Sequence, residues 1–129
     1  ENEEIVNYCL SGENKKLKRM LEENNFSSED FFILLRILNK KILRLINIKT
    51  LQQYEKNTDA VLNQIKPPIF WKEKEIVKKQ TNLWSLNNLN KIMKQLNEIE
   101  LLSKKNNEKG VIIVLDFLSN ICFQSKNSF

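Results

Sequence analysis

From Ser28 to Lys56 the chain carries no glycine and no proline, and its apolar residues recur at spacings of three and four. Phe31, Leu34, Leu35, Leu38, Ile42, Leu45 and Ile46 form the stripe that a buried helix face requires. Phe32, Ile33, Ile37, Leu43 and Ile48 widen that stripe beyond one face, so the helix needs neighbours on two sides. Its start is written in Ser27-Ser28-Glu29-Asp30, hydroxyls that cap and then acids that suit the positive end of the helix dipole. A long helix over about 28–56 makes the fold class all-α, with the remaining segments as its cover.

The same periodicity predicts a short helix over 3–11 through Ile5, Val6, Cys9 and Leu10, ended by Gly12. A second runs over 13–24, with Leu17, Met20 and Leu21 on one face and Asn24-Asn25 as its stop. Thr58-Asp59 is a start signal for a third short helix over 59–65. Pro67-Pro68 must then break the chain, because proline has no N–H and the second proline disfavours helical angles at the first. Ile69-Phe70-Trp71 comes next and calls for burial. A helix over 70–82 leads to a second break at Trp84-Ser85, where the serine caps a new helix. Pro67, Pro68, Phe70, Trp71 and Trp84 therefore read as a packing hinge that joins two helical layers.

The helix begun at Ser85 has the narrowest stripe: Leu86, Leu89, Ile92, Met93, Leu96, Ile99 and Leu102. Residues 106–110 read as a turn. Val111 to Phe123 is apolar nearly all round, and its length favours a last helix over a strand. Val111, Ile112, Leu115, Phe117, Leu118 and Ile121 are expected to divide between the core and a surface that another chain covers. Ser125 to Phe129 reads as a frayed tail. The sum is one domain over 1–129, a bundle of six to seven helices without an internal repeat or linker. The chain opens on Glu1, which suggests a piece of a longer protein.

Much chemistry is excluded by what is missing. There is no histidine, which removes Ser/His/Asp triads, Cys/His dyads and the usual zinc sets. Two glycines cannot build a phosphate loop of the G-x-x-x-x-G-K-[ST] kind, so no nucleotide cofactor is expected. Glu98 and Glu100 lie two apart on a helix, on different faces, and make no acid/base pair. Asp116 sits in an apolar helix and fits an exposed edge better than a catalytic role. Cys9 and Cys122 read as buried free thiols, in keeping with a reducing cytoplasm. No apolar run approaches the ~20 residues of a membrane span.

The net charge of +5 is unevenly placed. Residues 1–30 carry eight acids and four bases, and the rest eight acids and seventeen bases. A basic body favours nucleic acid or an acidic partner, although lysines mixed with glutamates also describe an ordinary solvated surface. Arg36, Lys40 and Arg44 fall at i, i+4 and i+8, with Lys41 beside them, as a ridge that faces solvent, ion-pair partners or a nucleic-acid strand. Trp71 and Trp84 in such apolar surroundings read as core rather than as stacking platforms for bases.

The order of residues adds a more specific signal. Pro67-Pro68-Ile69-Phe70-Trp71-Lys72-x-Lys74, then Gln80, Trp84-Ser85, Leu89 and Leu96-x-x-Ile99-Glu100-x-x-x-Lys104 resembles the C-terminal domain of the delta subunit of bacterial DNA polymerase III. Residues 4–48 resemble the opening of that domain, and the likeness spans nearly all of 3–123. Two positions depart from the family pattern: Glu100 stands where an aspartate is usual, and Lys105-Asn106 replaces a glycine. The resemblance implies a non-catalytic helical collar domain of a clamp loader in the bacterial cytoplasm. Its partners would be collar domains of the gamma/tau and delta-prime type, with primed DNA nearby. The sliding clamp would be met only through N-terminal ATPase-like domains outside this chain. Lys104, Lys105 and Lys109 are the candidate DNA-facing residues under this reading. A stand-alone basic nucleic-acid-binding domain is the alternative, and an enzyme has no visible constellation to support it.

Overall fold

The computed structural model describes residues 2–105 and 107–126 and is all-helical, with no strand among them. The elements are α1 (Asn2–Leu10), α2 (Asn14–Glu23), α3 (Ser28–Leu51), α4 (Thr58–Gln64), a 3₁₀ turn at Trp71–Glu73, α5 (Lys74–Leu83), α6 (Leu86–Lys105) and α7 (Asn107–Lys126). Helix α3 is the axle that its stripe predicts. It packs on α1, α6, α5, α7 and α4, while α6 and α7 form a helical hairpin and α1 closes on α7. Leu34, Leu38, Ile42, Leu45 and Ile48 of α3 are fully buried, and each such side chain contributes about 1.5–3 kcal/mol by leaving water.

Local signals place the helix ends. The Ser27 hydroxyl accepts from the Asp30 amide and the Asp30 carboxylate accepts from the Ser27 amide, a reciprocal capping box. The axle ends at Leu51 rather than near 56, with Gln52 as its C-cap. Gly12 adopts φ 71°, and the Glu13 amide donates to the Tyr8 carbonyl while the Gly12 amide donates to that of Cys9. This is the left-handed stop that ends α1, and a side chain at Gly12 would strain it. The Ser85 hydroxyl accepts from the Asn88 amide and starts α6 as expected. Helix α4 is capped by Asn57, through its side-chain carbonyl and the Ala60 amide, rather than by Thr58-Asp59.

Three expectations need correction. The helix over 70–82 begins later: a 3₁₀ turn covers Trp71–Glu73 and α5 starts at Lys74. The turn over 106–110 gives way to α7, which already runs from Asn107; Asn106 itself lies outside the described residues. Gly110 is thus inside a helix, and a Cβ there would stand 3.3 Å from the Ser103 carbonyl oxygen. The glycine serves the close approach of α6 and α7 rather than a turn. Ser125 is buried within α7 and bonds to the Cys122 carbonyl, so it belongs to the bundle rather than to a tail. The expected tail beyond Lys126 lies outside the described residues.

The hinge is also only half as drawn. Of Ile69-Phe70-Trp71, only Ile69 turns inward; Phe70 is 57% exposed and Trp71 69%. Phe70 has non-helical backbone angles (φ −60°, ψ 132°), and both it and Trp71 lie on the solvent side. The two rings lean on each other at 6.0 Å between centroids, and the Lys72 ammonium sits 5.4 Å from the centre of the Trp71 ring. Pro67 and Pro68 are exposed too. Trp84 alone of that group is buried, at 1% exposure, and its indole N–H donates to the Leu10 carbonyl at 2.9 Å. Gln80 and Thr81, in the last turn of α5, are buried as well. The Gln80 amide donates to the Asn7 carbonyl and the Ser11 hydroxyl. Trp84 and Gln80 together seat the end of α5 on the end of α1.

Candidate functional site

The basic ridge of α3 is split in two by its surroundings. Lys41 and Arg44 reach the Glu73 carboxylate, at 3.4 and 3.1 Å. Lys41 is 6% exposed. Burial alone would push the Glu73 carboxyl up; the charges of Lys41 and Arg44 outweigh it and hold the group below the usual glutamate range. This triad ties the 3₁₀ turn to the axle and is structural. The Arg44 Nε–H is left without an acceptor inside it. Nothing local to Lys72-Glu73-Lys74 distinguishes Glu73 from any other surface acid, so the sequence held no signal for it.

Arg36 and Lys40 are the other half. Both are exposed, and neither has an ion-pair partner among the described residues. Together with Lys104 and Glu100 of α6, and with Phe32, Leu35 and Asn39, they line a groove of about 540 Å³ between α3 and α6. The fold therefore brings the predicted Lys104 to an arginine and a lysine that lie more than sixty positions earlier. Lys105 and Lys109 are exposed but stand outside this set. Three cations against one carboxylate give the groove a positive balance.

On its other side Lys40 also lines a second groove, of about 470 Å³, between α3 and the Ile65–Glu73 segment. Ile37, Leu43, Ile65 and Pro67 give it an apolar lining, and Lys66 and Glu3 join the charged residues at its margin.

The residues picked from α7 separate cleanly. Phe117, Leu118 and Ile121 are buried in the core, Val111 and Leu115 are half-buried against it, and Ile112 is 69% exposed. Phe123, eleven residues on, is exposed as well, and eleven residues are about three turns, which puts the two on one face. Leu101 and Leu102, near the C-terminal end of α6, are exposed too. A groove lined by Ile99, Leu102, Ile113 and Phe117 runs between the two helices, with Asp116 at its edge. Asp116 is exposed, as an edge residue would be.

Chemistry beyond binding finds few groups to work with. Cys9 and Cys122 are buried free thiols; the Cys9 thiol donates to the Leu118 carbonyl, and burial, with Cys122 close by, pushes its pKa well up. A thiol so protonated is a poor nucleophile. Among the described residues no three of His, Cys, Asp and Glu gather where a metal ion could be held. Among the same residues no helix is long and apolar enough to cross a membrane. Comparison of the chain with models of protein families, with curated proteins and with solved structures finds no match.

Proposed function

We propose that this chain is an assembly domain: the C-terminal collar domain of a clamp-loader delta subunit of bacterial DNA polymerase III. It acts in the cytoplasm by binding other collar domains, of the gamma/tau and delta-prime type, and supplies no catalytic group or cofactor. The observation that carries this reading is the set of large apolar side chains left exposed on the last two helices: Ile112 on α7 and Leu101 and Leu102 on α6. Exposed apolar side chains gathered on one part of a surface mark contact with another chain. The residue order gives the reading its specific form. Gln80, Trp84 and Ser85, which carry much of the resemblance, each have a defined task, as two anchors on α1 and one helix cap. Their places at structural anchors support reading that order as the mark of the collar fold.

The test is co-migration. The chain mixed at micromolar concentration with gamma/tau and delta-prime collar domains should elute as a complex in size exclusion. Ile112→Asp with Phe123→Asp should abolish that complex while leaving the helical circular dichroism unchanged. Absence of a complex, when full-length delta does bind under the same conditions, would overturn the proposal.

A second reading rests on the groove of Arg36, Lys40 and Lys104. As a nucleic-acid contact it would hold primed DNA near the assembled collar, or serve a stand-alone basic domain. Binding would then fall steeply with salt, since each phosphate contact releases counterions. Alanine at all three positions should lower the slope of log affinity against log salt by about 2–3. An unchanged slope would remove the groove from any DNA path.

A further inference from the structure

The groove between α3 and the Ile65–Glu73 segment is lined by no residue of α6 or α7, so it is independent of the assembly face proposed above. The apolar part of its lining is aliphatic: Ile37, Leu43, Ile65 and Pro67. Leu43 is half exposed there, in a position where water gains nothing from it. Phe70 and Trp71, three and four residues after Pro67 in the chain, are exposed as well, although neither lines the groove. Aromatic residues placed this way are the usual anchors of protein contacts.

The charge around this apolar strip is one-sided. Four cations, Lys40, Lys41, Arg44 and Lys66, line it against two carboxylates, Glu3 and Glu73. Glu73 is already committed to Lys41 and Arg44, so Lys40 and Lys66 remain at the rim against the one carboxylate of Glu3, a positive balance. We propose that this groove is a docking site for an acidic amphipathic segment of a partner protein. Apolar side chains of the segment would enter between Leu43 and Pro67, and its carboxylates would meet Lys40 and Lys66. Complementary charge of this sort sets orientation and speeds encounter.

Two observations favour a peptide over single-stranded nucleic acid. Bases need π-faces, and the groove's lining offers aliphatic carbon. The ring best placed to stack, Trp71, already carries the Lys72 ammonium over its ring. The pattern matches the way an amphipathic segment lies in an apolar groove, with alternate anchors below and charge at the edges.

The probe is a labelled amphipathic peptide with leucines on one face and glutamates on the other, beside a twin with lysines for glutamates and an oligo(dT) strand. Fluorescence anisotropy with the whole chain at low salt should show the glutamate peptide binding at least about tenfold more tightly than its lysine twin. Leu43→Glu and Lys66→Glu should each weaken it by about tenfold or more. Both side chains are exposed, so circular dichroism should show these variants folded. Arg36→Glu, in the neighbouring groove, should change binding less than either. Equal affinity for the two peptides, no binding of either, or indifference to Leu43→Glu and Lys66→Glu would overturn the proposal. So would displacement of the glutamate peptide by oligo(dT), which would make the site a nucleic-acid one. Self-association lost in the same two variants would overturn it in favour of a second copy.

Discussion

Trp71 and Trp84 lie thirteen residues apart in one hinge, both beside apolar neighbours, and meet opposite fates. Trp84 is sealed in the core with its N–H bonded to the end of α1. Trp71 is mostly in water, held by Phe70 and Lys72. The difference is set by backbone direction. Trp84 closes α5, where the helix has already brought Val77, Gln80 and Thr81 to the inner face, and it continues that face. Trp71 comes after a non-helical stretch in which Ile69 takes the inward position, and the 3₁₀ turn starts with the ring already outside. One tryptophan holds the bundle; the other is surface available to a partner.

The largest effect expected is at Trp84. Trp84→Ala empties a fully packed site and leaves the Leu10 carbonyl without its donor, at a cost of about 3–5 kcal/mol in a denaturant titration. A loss under about 1 kcal/mol would mean that the hinge is not anchored there. Next comes the triad that fastens the turn carrying Trp71. Glu73→Gln leaves Lys41 buried beside a neutral group and should cost about 1–3 kcal/mol. Lys41→Met should recover part of that loss in the double variant, because the unpaired charge is then gone.

The same carboxylate gives a pH dependence of definite sign. Its pKa is depressed in the folded chain, so its contribution is complete above the ordinary value of 4.5 and is lost as pH falls through the lower folded value. Urea titrations across the acid range should show a stability loss that Glu73→Gln makes shallower; parallel curves for the two proteins would exclude the ion triad as its source. The smallest effect is expected at Trp71: Trp71→Ala should change stability by no more than about 0.5 kcal/mol. A larger cost would place that ring in the core with Trp84.

Much of the fold was legible because helices write their period into the sequence. The stripe of α3 and that of α6 gave the long elements, and Ser27, Ser85 and Gly12 marked ends through side-chain or backbone chemistry that is local. What stayed hidden depends on partners distant in sequence. Gly110 looked like a turn glycine, yet its reason is the Ser103 backbone of the preceding helix. Lys41 looked like one more surface cation of the ridge, yet Glu73, thirty-two residues later, draws it inside. Phe70 and Trp71 looked like core because apolar runs usually are, and nothing in a run says which of its members a non-helical backbone turns outward. The site was legible in part: Arg36, Lys40 and Lys104 were each singled out, but only the packing of α3 on α6 makes them one groove.

The contrast between the two rings is best tested by fluorescence of the two single-tryptophan proteins, Trp71→Phe and Trp84→Phe, with acrylamide as quencher. The Trp71→Phe protein, which keeps only Trp84, should emit at short wavelength and resist quenching until it unfolds. The Trp84→Phe protein, which keeps only Trp71, should emit like a hydrated indole and be quenched freely while its circular dichroism remains helical. Equal quenching of the two folded proteins would contradict the account, because one tryptophan could then no longer be the anchor and the other the open surface.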